Sequence, residues 1–145
     1  MKKILLLTTG GTIASAPGED GLEPSLKSGG LAHMIEGITS NYEVDFKDIL
    51  NLDSSNIQPE EWQFIAEQIS QMHEGYDGIV VTHGTDTMAY TSSALSYLIQ
   101  NSPKPIIITG AQKSISMEIT DAKTNLLDSL RFAACPDAHG VCIVF

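Results

Sequence analysis

Two segments of this chain place hydroxyl side chains beside glycines, as a reactive or ligand-binding turn requires: Thr8-Thr9-Gly10-Gly11-Thr12 and Thr82-His83-Gly84-Thr85-Asp86-Thr87. Glycine lets backbone N–H groups come close to a bound molecule, and the hydroxyl beside it supplies a nucleophile or a donor. Neither segment is a GxGxxG fingerprint, and neither carries the lysine of a phosphate-binding loop, so a nucleotide phosphate is not the natural ligand. His83 tempts as a base, but a histidine at a strand end is more often a satisfied structural residue. Threonine and aspartate are also ordinary turn residues. The pattern alone therefore leaves a chemical site and plain architecture both open.

The elements that must carry these turns alternate along the chain. Residues 4–7 are a continuous apolar run followed by Thr and Gly, as expected of a strand buried on both faces. After it, residues 15–27 look irregular, with Pro17, Gly18, Gly21 and Pro24, and a lid over the first turn is expected there ahead of disorder. Leu31, Met34, Ile35 and Ile38 recur at helical spacing behind Ser28. Residues 42–50 suggest a second strand nearer an edge. Pro59, Glu60 and Glu61 open a helix whose face is Trp62, Ile65, Ala66, Ile69 and Met72. Residues 78–82 form a third strand, and the helix after it should pack Ala94, Leu95 and Leu98. Residues 104–110 are a fourth strand, Asp121 can cap a helix burying Leu127, Leu130 and Ala134, and residues 140–145 are a fifth. Strands joined by helices imply an open, doubly wound α/β fold, mainly parallel, with helices on both faces. Ligands bind such sheets at the carboxyl ends of the strands, where both threonine turns fall.

Bulk properties narrow the classes. A chain of 145 residues suits one domain, and its 42% apolar and 18% charged content is that of a globular protein. A net charge of −10 with eight Lys and Arg opposes nucleic-acid backbones and anionic membrane surfaces. The apolar start is too short for a signal peptide and ends in Thr8-Thr9-Gly10-Gly11. Cys135 and Cys142 make neither a zinc site nor a CxxC pair, so buried reduced thiols and a cytoplasmic location are expected. No metal or cofactor is implied.

The segments Thr8-Thr9-Gly10-Gly11-Thr12-Ile13-Ala14-Ser15 and Val81-Thr82-His83-Gly84-Thr85-Asp86-Thr87-Met88 closely resemble the two signature motifs of the bacterial-type L-asparaginase family. Their order and separation fit as well. Asp53-Ser54-Ser55-Asn56, residues 104–112, and Asp121 through Asn125-Leu126 extend the match over essentially the whole chain. The resemblance is greatest to the cytoplasmic type I enzymes. It implies hydrolysis of L-asparagine to aspartate and ammonia, with Thr12 as nucleophile and a β-aspartyl ester on it. Thr85 and Asp86 would act opposite Thr12 together with a lysine, Asp86 also helping to bind the substrate ammonium. Ser54 and Ser55 would hold the α-carboxylate, with Asp53 adjoining, and Ala111 would border the amide being cleaved. By the same resemblance, the histidine matching His83 is not the catalytic base.

Two departures stand out. Many relatives carry a tyrosine in the loop after the first motif that bonds the nucleophile, and residues 15–27 contain none. The family's catalytic lysine lies beyond the fifth strand, as does a smaller carboxy-terminal domain that closes neighbouring subunits' sites. Residues 1–145 are therefore expected to be the amino-terminal, nucleophile-bearing domain alone, impaired by itself and prone to self-association. The other readings are the asparaginase-like subunit of a tRNA-dependent amidotransferase, which the acidity opposes, and a non-catalytic amino-acid-binding module.

Overall fold

The computed structural model of the protein describes residues 1–18, 21–24, 28–37 and 40–145. In chain order its elements are β1 (Lys2–Thr8), β2 (Ser15–Gly18), β3 (Gly21–Pro24), α1 (Ser28–Ile35), β4 (Tyr42–Asp48), α2 (Pro59–Met72), β5 (Gly78–Thr82), α3 (Met88–Leu98), β6 (Pro105–Thr109), α4 (Ala122–Ala133) and β7 (Gly140–Ile143). Short 3-10 turns occupy Thr12–Ala14 and Ser54–Asn56.

Strand alternation builds the layers. In β1, Ile4 and Leu6 face one side and Leu5 and Leu7 the other; β5 and β6 repeat this with Val80 and Ile107 against Ile79, Val81, Ile106 and Ile108. Each set is covered by its own helices. Leu31 of α1 and Leu126 and Leu130 of α4 close the first face, while Ile65 and Ile69 of α2 and Leu95 of α3 close the second. The sheet is five-stranded in the order β4-β1-β5-β6-β7, with every pair parallel. The doubly wound α/β expectation is met, and β4 lies at an edge as its half-buried pattern suggested.

Several local expectations are corrected. Residues 15–27 are not irregular throughout: β2 and β3 pair antiparallel, with Pro17 opposite Leu22 and Ser15 opposite Pro24. Prolines are tolerated there because a two-stranded ribbon is all edge and has no central ladder to interrupt. Residues 19–20 and 25–27 of that stretch, like Ile38 of the α1 pattern, lie outside the described residues. In α3 the buried face is Met88, Thr91 and Leu95, whereas Leu98 is 49% exposed. The helix ends at Leu98, and Ile99 turns back against the same core in its place. In α4 the buried core residues are Leu126, Leu130 and Ala133, with Leu126 in place of the expected Leu127, while Ala134 is partly buried and packs against them. The two cysteines are free but only half-buried. The opening of α2 is as read, with the Glu61 carboxylate accepting the Gln58 N–H at 2.7 Å.

The two ends of α3 should respond very differently to truncation. Leu95→Ala is expected to cost about 2–5 kcal/mol, and Leu98→Ala about 0.5 kcal/mol or less. Urea unfolding of both variants checks this; equal losses would mean that Leu98 is packed.

Candidate active site

The strand order places a natural crevice. From β1 the chain crosses to β4 on one side, and β5 returns on the other, so the connections leave β1 and β5 in opposite directions at their carboxyl ends. Both threonine turns sit at this switch point. They are stitched to each other and to their neighbours through strand-end groups. The Thr9 N–H and hydroxyl both donate to the Thr82 carbonyl, at 3.2 and 2.8 Å. The His83 N–H donates to Thr109 O at 2.8 Å, and the Leu52 N–H to Thr9 O at 2.9 Å.

The turns touch backbone to backbone. Gly10 and Gly11 have φ of 107° and 86°, a region that L side chains rarely adopt. A Cβ on Gly11 would lie 2.6 Å from Gly84 N, and one on Gly84 would lie 2.5 Å from Ser54 Oγ. Three segments thus converge where only glycine fits. Ser54 is itself fixed: it is buried, and its carbonyl accepts the Thr87 hydroxyl at 2.7 Å. Asp53 caps the 3-10 turn, its Oδ1 accepting the Ser55 N–H at 2.9 Å and the Ser55 hydroxyl at 2.8 Å. The backbone donor first and the hydroxyl second hold the Asp53 carboxyl below the usual range, against a small opposing effect of burial.

Around this floor lies a cavity of about 160 Å³ lined by Gly11, Thr12, Ser15, Asp53, Ser54, Gly84, Thr85 and Asp86. A space of roughly 150 Å³ admits a benzene-sized molecule, a scale that suits an amino acid. Among the described residues, the lining has two carboxylates and no lysine or arginine. Among the described residues, the N–H groups and hydroxyls of Thr12 and Thr85 have no hydrogen-bond partner, so they are free to meet a ligand.

Residues 3–145 match the family model described as "Asparaginase, N-terminal". The chain belongs to the asparaginase family. It is 47% identical over 90% of its length to an L-asparaginase of Thermococcus kodakarensis, covering 40% of that protein. To L-asparaginase 1 of Escherichia coli K12 it is 39% identical over 99% of its length, covering 44% of that protein. A glutamyl-tRNA(Gln) amidotransferase subunit of Methanosphaera stadtmanae is 39% identical over 91% of the chain, which covers 31% of that protein. The solved thermostable L-asparaginase from Thermococcus kodakarensis superposes with a TM-score of 0.90 at 44% identity, over 99% of this chain and 44% of that one. The chain thus spans less than half the length of these relatives.

Within this family frame, the site residues expected from the sequence divide into two groups. Thr12, Thr85, Asp86, Asp53 and Ser54 meet around the cavity. Ser55 and Ala111 are not among its lining residues: Ser55 points its hydroxyl at Asp53, and Ala111 is buried in the core with Ile13 and Ala14. Ser15, which the sequence does not single out, also lines the cavity; its hydroxyl donates to Gly11 O at 3.0 Å. Asp121 stands at the start of α4 but does not cap it. Its carboxylate instead accepts the N–H groups of Gln112 and Lys113, at 2.8 and 3.0 Å. Burial raises this carboxyl, and those donors outweigh it and hold it low. The loop so fixed reaches the first turn: the Ile115 N–H donates to Ile13 O at 3.2 Å, and the Ser114 hydroxyl to Ser15 O. Such loop-to-turn bonds have no periodic signature in sequence.

Gly11→Ala is expected to lower stability in urea by more than the roughly 1–2 kcal/mol of a left-handed residue alone, because its methyl group meets Gly84. An unchanged midpoint would mean that the turns can separate freely. Ser55→Ala removes one of the two donors on Asp53, so the Asp53 midpoint should rise in a carboxyl-carbon NMR titration. In the parent chain the folded carboxyl titrates below its unfolded value of about 3.9. Its contribution to stability is therefore fully present above that pH and fades as pH falls through the lower folded midpoint. A midpoint insensitive to Ser55→Ala would remove the hydroxyl from that role.

Proposed function

We propose that this chain is the amino-terminal, nucleophile-bearing domain of a cytoplasmic L-asparaginase that hydrolyses L-asparagine to L-aspartate and ammonia. The observation carrying this reading is the meeting of Thr12 with Thr85 and Asp86 across a cavity of amino-acid size. The ammonium of asparagine is assigned to the carboxylates of Asp86 and Asp53, and its α-carboxylate to donors around Ser54. Ser55 acts through Asp53, and Ala111 backs the nucleophile turn from the core.

The Thr12 oxygen attacks the side-chain amide carbon while its proton passes to a base. The resulting oxyanion meets the free N–H groups, of which Thr85 supplies one; in other hydrolases a single such donor contributes about 2.7–4 kcal/mol. The amide nitrogen takes a proton and leaves as ammonia, and a β-aspartyl ester remains on Thr12. Water attacks the ester, aspartate departs, and the hydroxyl is restored. Among the described residues no lysine lines the cavity, so we assign the base to the lysine that the family carries beyond the fifth strand. The full reaction then belongs to a longer protein acting as a homo-oligomer. Exposed apolar side chains such as Tyr97 and Ile119 support self-association.

A second reading has a specific observation behind it: identity to the glutamyl-tRNA(Gln) amidotransferase relative, 39%, equals that to L-asparaginase 1. In that case the same threonines would release ammonia from glutamine beside a tRNA-binding partner.

In the full-length protein, Thr12→Ala should reduce ammonia release from asparagine to background, a loss of the order of 10⁶-fold as when another hydrolase loses its nucleophile. Retained turnover would strip Thr12 of its role. A kcat/KM favouring glutamine over asparagine would transfer the reading to the amidotransferase.

A further inference from the structure

His83 is fully buried, yet both of its ring nitrogens have partners. Nδ1 lies 2.6 Å from the Gly84 carbonyl oxygen, which can only accept, so Nδ1 carries the hydrogen. Nε2 of the neutral ring must then accept. Its partner at 2.8 Å is the buried hydroxyl of Thr91 in α3, which spends its one hydrogen there. The Thr91 oxygen in turn accepts the indole N–H of Trp62 in α2, at 3.0 Å. Every group in this relay has one possible sense: Trp62 donates to Thr91, Thr91 to His83, and His83 to Gly84. Burial keeps the ring neutral by holding its pKa below the ordinary histidine value, and the Gly84 bond opposes this only in part.

The bond to Gly84 O has a consequence on the other side of the peptide. In a planar trans peptide the C=O and the following N–H point in opposite directions. Holding the Gly84 carbonyl down toward the buried ring therefore turns the Thr85 N–H the other way, toward the cavity that Gly84 and Thr85 line. That N–H has no partner among the described residues. We propose that His83 is a positioning residue that aims the Thr85 N–H into the cavity, held in turn by Thr91 and Trp62. Its consequence for catalysis rests on the hydrolase reading above; its consequence for the orientation of the amide does not.

Isotope-labelled protein of this 145-residue chain tests the orientation directly. Ring nitrogen shifts should show hydrogen on Nδ1 of His83, and hydrogen on Nε2 would overturn the proposal. Residual dipolar couplings then report the direction of the Thr85 N–H. His83→Leu should change that coupling while those of β5 and β6 stay as they are. His83→Asn, which can still present an N–H near the Nδ1 position, should restore it. Thr91→Val, a smaller disturbance if the leucine variant does not fold, should move it part of the way. An unchanged Thr85 coupling in His83→Leu, or in Thr91→Val where the leucine variant fails to fold, would leave His83 a core residue only. In the full-length protein, His83→Leu should lower kcat for asparagine about 10- to 100-fold with KM within twofold, a loss below the 10²–10³ of a deleted oxyanion donor. His83→Asn should recover most of it. If asparagine is not a substrate at all, the hydrolase reading fails, and the dipolar couplings still decide the positioning role.

Discussion

The contact between Gly11 and Gly84 is the constraint on which the site depends. At a separation where a single Cβ would clash with backbone atoms, two turns from neighbouring strands can share one floor. This distance brings the hydroxyls that follow each glycine, those of Thr12 and Thr85, to the rim of one cavity. It also explains why the third segment matters. Ser54 packs its Oγ where a side chain on Gly84 would go, so the turn after β4 completes the floor only because both glycines are bare. The parallel order of β4, β1 and β5 delivers the three segments to the same end of the sheet.

Charge at the site follows from the same close packing. With glycines below and threonines beside, the described lining offers N–H groups and hydroxyls together with two carboxylates, and among the described residues no cationic side chain. Such a lining suits a ligand with a positive group for the carboxylates and a polar oxygen for the donors. Amino acids have both. Asp53 is suited to the first task because its own cap keeps it ionised to lower pH than an ordinary aspartate.

Much of this was legible in the residues. The strands announced themselves because each central one is an unbroken apolar run, a pattern that only burial on both faces makes favourable. The two turns were visible as glycine-containing strand ends, but that pattern alone left site and architecture both open, and it was their resemblance to a family's paired motifs that singled them out. What escaped notice involves groups acting across sequence distance. The β2–β3 hairpin hides behind prolines and glycines that suggest loop. Asp121 satisfies the general rule for a helix cap, yet its carboxylate is claimed by the N–H groups of Gln112 and Lys113. Ser55 carries the right chemistry for a ligand contact, but Asp53, two residues away, captures its hydroxyl. His83 reads from its strand-end position as a structural residue, though nothing in the sequence ties it to Thr91 or Trp62.

The supports of the two threonines come from opposite faces of the sheet. Thr12 stands on Ile13 and Ala14, which share a core with α1 and α4, and the segment is bonded through Ile13 O and Ser15 O to the loop that Asp121 holds. Thr85 follows a glycine whose carbonyl is tied through His83 and Thr91 to α3 and α2 on the other face. Neither support passes through the other. The relation between Thr12 and Thr85 is therefore set by what the two faces have in common, namely the parallel register of β1 with β5 and the glycine contact above it. A sheet packed on both sides is the stiffest part of such a domain. Placing one threonine at the end of each of two adjacent central strands ties their separation to that stiffness, while each turn keeps its own local clamp.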